Sequence, residues 1–153
     1  MSQPSEQRQA LTAIVFSNAG HSFSHMFTLL YATAVLYLPK VFDLPYGELL
    51  GLSSLGLVLF GLAALPAGWL GDRWSQIGMM VIFFIGVGVG SIIVGMAEGP
   101  DGLFIGLTLI GLFASIYHPV GIAWIVAWAD KQGMTLGING VFGNAGSAIA
   151  VSY

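Results

Sequence analysis

Three histidines carry most of the chemistry this sequence can offer. His21 and His25 stand four residues apart in the stretch NAGHSFSHMF, and His118 lies in FASIYHPVGIAWI. Imidazole changes charge near neutral pH and is also a common metal ligand. His-x-x-x-His is the spacing of a helical zinc pair, with His118 as a candidate third ligand. The acid that a metalloprotease motif places beside its first histidine is missing, because Ser22 follows His21. The chain has no cysteine, so neither a disulfide framework nor a thiolate metal site is available. Two readings follow: contacts for a solute or proton, or a metal centre built from His21, His25 and His118.

The elements that must position these residues are set by where charge is absent. Of the 153 residues, 56% are hydrophobic and only 7% are charged, with a mean hydropathy of +0.87. Soluble domains carry about a quarter of their residues as charges. Such a chain cannot cover its own surface in water, and the class is integral membrane. Residues 9–39, 49–71, 74–97, 102–129 and 132–153 contain no Asp, Glu, Lys or Arg. Each run is long enough for a helix to cross the hydrocarbon core, which takes about 20 residues. MMVIFFIGVGVGSIIVGMA shows none of the alternation of a barrel strand, so the spans are expected to be helices. The predicted architecture is an all-α multi-span bundle. Residues 1–9 form a cytoplasmic amino terminus, and spans run at about 10–38, 48–70, 77–97, 102–128 and 135–153, the fifth incomplete.

Arg8, Arg73 and Lys131 fall on one side of these spans and Lys40 on the other. The excess of basic residues places the amino terminus in the cytoplasm. The expected location is the cell (inner or plasma) membrane, multi-pass. The first uncharged run exceeds a signal-peptide core and lacks a cleavage motif, so it reads as a retained span. The chain stops partway along its fifth apolar run, as expected of a fragment of a longer protein.

At about 100° per residue, Asn18, His21, Ser22 and His25 share one face of the first span, opposite Phe16, Phe23, Phe27 and Leu30. Polar groups inside a membrane usually face the bundle interior or a wet cavity. In the fourth span Gly111, Ser115 and His118 line another face, and Pro119 denies the Ser115 carbonyl its helical donor, predicting a kink. His21 and His118 fall at similar depth, roughly 5 Å to the cytoplasmic side of the midplane. The alternative to a shared cavity is that each histidine serves as interhelical hydrogen-bonding glue. No acid lies in the five uncharged runs, so a proton carrier here would have to be histidine.

Between the second and third runs the chain reads LPAGWLGDRWSQIG. Pro66 and Gly68 are expected to loosen the end of span two. Gly71 is expected to turn the backbone, and Asp72 to cap span three. Arg73 offers a forked donor to a carboxylate or helix carbonyl. Gly68, Leu70, Asp72 and Arg73 resemble the loop signature of the major facilitator superfamily in type, spacing and place. Ser75, Gln76 and Ile77 stand where that signature continues with a glycine and basic residues. Tyr117-His118-Pro119 and Gly143-Asn144 are similar to its fosmidomycin-resistance-like branch.

The resemblance implies a secondary transporter of two six-helix halves, with the first and fourth helices lining a central cavity. This chain corresponds to part of the amino-terminal half. It implies cavity contacts at Asn18, His21, His25, Tyr117 and His118, and a gating loop at Gly68, Asp72 and Arg73. No cofactor, resident metal or nucleic-acid partner is expected. The partners are a small-molecule substrate, the lipid bilayer and the carboxy-terminal half of the same carrier. Span five lacks the glycine-proline pair of the family's drug-proton antiporters. A compact four-helix exporter would need an acid in its first span, and none is present. An intramembrane metal-binding protein or enzyme is the rival class. The glycine pairs, Gly86/Gly90 and the series Gly137, Gly140, Gly143 and Gly146, predict close helix packing.

Overall fold

The computed structural model describes residues 4–152, and every regular element among them is helical. A long first helix, α1 (Pro4–Ala34), is followed by two short helices, α2 (Pro39–Phe42) and α3 (Tyr46–Gly51). Asp43 adopts a left-handed conformation (φ 52°) between them, which Asp tolerates better than most residues. There the chain turns back, and Tyr31 Oη donates to the Leu49 carbonyl at 2.6 Å, fastening α3 to α1.

The second apolar run is broken. Helices α4 (Ser54–Leu62) and α5 (Ala64–Arg73) meet at Ala63, and the run bends there by 41°. Pro66 lies three residues beyond the break and lacks the N–H that the Leu62 carbonyl needs, which accounts for a bend at that point. Gly68 and Gly71 lie within α5 and not in a turn; both face the fourth run. A Cβ on Gly68 would meet Pro119 at 3.1 Å, and one on Gly71 would meet Val120 at 2.9 Å.

Helices α6 (Gln76–Gly95) and α7 (Pro100–Ala114) pack along each other, and α4 crosses α7. At that crossing the backbones of Gly56 and Gly111 touch, and a Cβ on either would collide with the other strand of main chain. Gly86 accommodates the ring of Phe113, and Gly90 lies against Ile110 and Gly106. The run continues from α7 through a π-helical turn (Tyr117–Gly121) into α8 (Ile122–Trp128). The expected kink at Pro119 is replaced by this wider turn, and Pro100–Trp128 remains one long apolar helix. Finally α9 (Gln132–Val151) lies along α1.

The main core joins Ala13, Ala67, Met79, Met80, Phe83, Val87, Ala114, Ile116, Tyr117, Val120 and Trp124. A second cluster at the other end joins Tyr31, Val35, Leu49, Leu103 and Leu107. Many large apolar side chains point outward, among them Leu57, Leu65, Ile85 and Ile92. That much exposed apolar surface suits a lipid solvent and not water.

By length and apolar character, Gln76–Gly95 and Pro100–Trp128 can cross a membrane, and Tyr46–Arg73 is a third such segment if its bent halves form one span. Helices α1 and α9 are long enough but are diluted by polar residues, Asn18, His21 and His25 in one, Asn139 and Asn144 in the other. The polarity of these two helices locates the site.

Candidate functional site

The two least apolar long helices pack against each other, and their polar side chains meet. Asn139 of α9, fully buried at 2% exposure, is the hub. His21 Nδ1 lies 2.8 Å from the Asn139 carbonyl oxygen and 2.9 Å from its Oδ1. Tyr117 Oη donates to the same Oδ1 at 3.0 Å, and Asn139 Nδ2 donates to Asn18 Oδ1 at 3.0 Å. One amide thus joins α1, α9 and the π turn. An unpaired amide in this place would be costly, which explains why every polar atom of Asn139's side chain is engaged.

The backbone carbonyl of Asn139 can only accept, so His21 Nδ1 must carry a proton. In the neutral ring, His21 Nε2 is then an acceptor. His25 Nε2 lies 3.1 Å from it and supplies the proton of that bond. The tautomers of the pair are therefore linked, and the hydrogen bonds run in one direction from His25 through His21 to Asn139.

His118 completes the cluster. Ring centroids are 4.9 Å apart for His21–His25, 5.4 Å for His21–His118 and 5.5 Å for His25–His118. One nitrogen from each histidine lies within 4.8 Å of the other two, and all three rings are half-buried. His118 Nδ1 is buried without a hydrogen-bond partner among the described residues. Tyr117 is wholly buried and stacks on His21, centroids 4.9 Å apart and planes 26° from parallel.

Glycines make room for this stack. A Cβ on Gly20 or Gly121 would strike the Tyr117 ring at 2.9 or 2.6 Å, and one on Gly143 would lie 2.6 Å from His21 Nε2. Ser17 Oγ donates to the Gly121 carbonyl at 3.1 Å, and Ser22 Oγ donates to the Phe142 carbonyl at 2.7 Å. The first bond holds α1 to the end of the π turn, a place where helical carbonyls lose regular partners.

Asn18, His21, His25, Tyr117 and His118 thus lie together. Gly68, Asp72 and Arg73 lie apart from them, along α5, with Gly68 reaching the cluster's element only through Pro119. Asp72 does not cap the third run. It occupies the last turn of α5, exposed and without an ion pair among the described residues, while Ser75 Oγ accepts from Gly78 N at 3.0 Å and caps α6. Ser is a better cap here because it is the residue that immediately precedes the helical turn. Arg73 meets no carboxylate among the described residues; its guanidinium lies 4.9 Å over the Trp69 ring, one helical turn back.

Sequence reasoning passed over Asn139, although the signal was present: an amide in an apolar run, as at Asn18. Of the Gly143-Asn144 pair that drew attention instead, Gly143 is buried under His21 and Asn144 is exposed.

No curated protein and no solved structure matches this sequence. The sequence profile of the Major Facilitator Superfamily matches residues 14–152. That match reaches the superfamily and lends no support to the fosmidomycin-resistance-like branch. It covers α1 from Ile14 onward through α9, and so takes in the histidine cluster, Asn139 and the Gly68–Arg73 segment together. The chain belongs to the major facilitator superfamily and is a membrane transporter.

Proposed function

We propose that this chain is part of the amino-terminal half of a secondary carrier that moves a small solute by alternating access. In this reading five spans cross the cell membrane from a cytoplasmic amino terminus, and a further set of helices closes the other side of the solute path. His21, His25 and His118 contact the solute, and Asn18 and Tyr117, expected as contacts but buried, line the cavity from behind as their supports. Gly68, Asp72 and Arg73 form a cytoplasmic hinge. The observation that carries the reading is the convergence of three half-buried imidazoles from two helices upon a buried amide from a third. A purely structural knot would bury its polar atoms fully. Here the rings are left half open, as a surface that a solute must reach.

The hinge assignment draws on α5. Its Asp72 lies at a helix carboxyl end, where a negative charge is unfavourable, and has no ion-pair partner among the described residues. Its Gly68 and Gly71 allow α5 to slide on Pro119 and Val120, next to His118.

These 153 residues contain no cysteine, so a single thiol can be followed once any cysteine elsewhere in the carrier is replaced. Thr28 lies one helical turn beyond His25 on α1, half-buried. In the full-length carrier, Thr28→Cys should react with a membrane-impermeant thiol reagent from both faces of the membrane, with rates that shift in opposite senses when transported solute is present. Reaction from one face alone under all conditions would refute alternating access.

A further inference from the structure

We propose that His21, His25 and His118 form a binding site for a divalent transition-metal cation, of the Zn2+ type, carried as cargo. The cargo role rests on the carrier reading above; the ligation rests on geometry alone.

Metal–imidazole bonds of about 2.0–2.1 Å in tetrahedral geometry place two ligand nitrogens roughly 3.4 Å apart. His21 Nε2 and His25 Nε2 are 3.1 Å apart, close to that edge length. The third histidine brings a nitrogen within 4.8 Å of both, and a rotation of its ring closes the remaining distance. Three nitrogens leave a fourth position open on the half-buried side, where water or a counter-anion can sit and through which an ion can leave.

The support around the first ligand is of the kind metal sites use. A metal-binding histidine usually donates its other ring N–H to a carbonyl or carboxylate, which fixes the tautomer and turns the free lone pair toward the metal. His21 does this: Nδ1–H is held by the Asn139 carbonyl, and Nε2 is left to accept. Asn139 is itself held by Tyr117 and Asn18, and Tyr117 stacks on the His21 ring. His118 Nδ1, buried and unpartnered among the described residues, leaves the third ring with bonding capacity that those residues do not use.

The donor set selects the class of ion. Imidazoles suit Zn, Cu, Fe and Ni, whereas Ca2+ and Mg2+ demand oxygen ligands. No carboxylate lies in any of the membrane-spanning runs to neutralise the ion. Neutral ligands leave its charge uncompensated in a poorly polar setting, which keeps affinity modest and favours release over permanent retention. The proton balance closes without loss. His25 moves its proton from Nε2 to Nδ1, the bond between the two Nε2 atoms is exchanged for two metal–nitrogen bonds, and no proton is released.

Purified full-length protein titrated with Co2+ should show the visible absorption of a four-coordinate ion at one equivalent, displaced by Zn2+. His25→Gln and His118→Gln should each weaken binding by roughly tenfold or more, and Asn139→Ala, a positioning change, by about 10–100-fold. His25→Gln keeps an N–H donor for His21, so an unchanged melting temperature shows that its loss of binding is not a folding defect. Reconstituted vesicles containing a zinc-responsive dye should respond to external Zn2+ with the unaltered protein and not with these variants. Absence of saturable binding, or binding unchanged in the glutamine variants, overturns the site. Saturable binding without a dye response overturns the cargo role. The two-sided labelling of Thr28→Cys is read with no solute or metal added, so two-sided labelling with failed metal binding sinks this inference alone, and one-sided labelling sinks the carrier reading and the cargo role with it.

Discussion

The seam between α6 and α7 and the seam between α1 and α9 solve the same problem in opposite ways. Both bring two long helices into close contact where lipid gives no hydrophobic reward for association. The α6–α7 seam does so by removing side chains: Gly86 receives Phe113, Gly90 meets Gly106, and nearby Gly56 and Gly111 touch through their backbones. The α1–α9 seam also uses small residues, Gly143 and Gly146, but spends the space on polar groups, with His21 over Gly143 and Asn139 joining three partners, His21, Tyr117 and Asn18. One seam holds the same contacts whatever the protonation of its surroundings. The other holds an imidazole and two amides joined by hydrogen bonds across the helices. The first is suited to a rigid scaffold and the second to a site.

Substitutions can break this contrast. The largest expected effect is at the glycine crossing. Gly111→Leu drives a side chain into the Gly56 main chain, which has no rotamer by which to yield, and should cost about 3 kcal/mol. The measurement is thermal unfolding in detergent; a melting temperature equal to that of the unaltered protein would disprove the close approach.

Next comes the hub. The Asn139 side chain takes part in three hydrogen bonds, to His21, Tyr117 and Asn18. Interhelical bonds in membranes average about 0.6 kcal/mol each, so Asn139→Leu should cost about 2 kcal/mol. It should also abolish transport, a loss out of proportion to the stability change. Transport retained in a destabilised protein would make the α1–α9 seam scaffold as well.

Tyr117→Phe removes one of those bonds and keeps the ring over His21, for about 0.6 kcal/mol. It should change apparent solute affinity more than maximal rate, as read from uptake kinetics. Asp72→Asn has the smallest expected effect on stability, within about 0.5 kcal/mol, because the carboxylate is exposed and unpaired among the described residues. It should nevertheless slow turnover several-fold. Unchanged turnover would remove α5 from the hinge.

The departures from sequence expectation have local physical causes. Helical periodicity places Asn18, His21, Ser22 and His25 on one face because α1 is a regular helix over Pro4–Ala34. Periodicity carries less far along the fourth run, because Tyr117–Gly121 is a π turn and such a turn shifts the faces that follow it. Pro119 is visible in sequence as an obstacle, but whether a helix answers a missing donor with a kink or with a wider turn depends on its neighbours, here α5 against Pro119 and Val120. Asp72 was misplaced for a similar reason. The helix end depends on where α5 stops, and Ser75 lies at the boundary instead.

By itself the sequence determined the solvent and the element type. A 7% charge content and five long uncharged runs leave a chain no stable state outside lipid; lipid admits only helices and closed barrels, and runs without strand alternation choose the helix. It also determined that α1 has a polar face, since that follows from spacing along a single rod. Which rods lie side by side was decided only by tertiary structure. Asn139 is 118 residues from His21, and His118 is 97 beyond it in sequence, so no local pattern links them. Their meeting follows from glycines that permit close approach and from polar groups that lipid leaves no other partner.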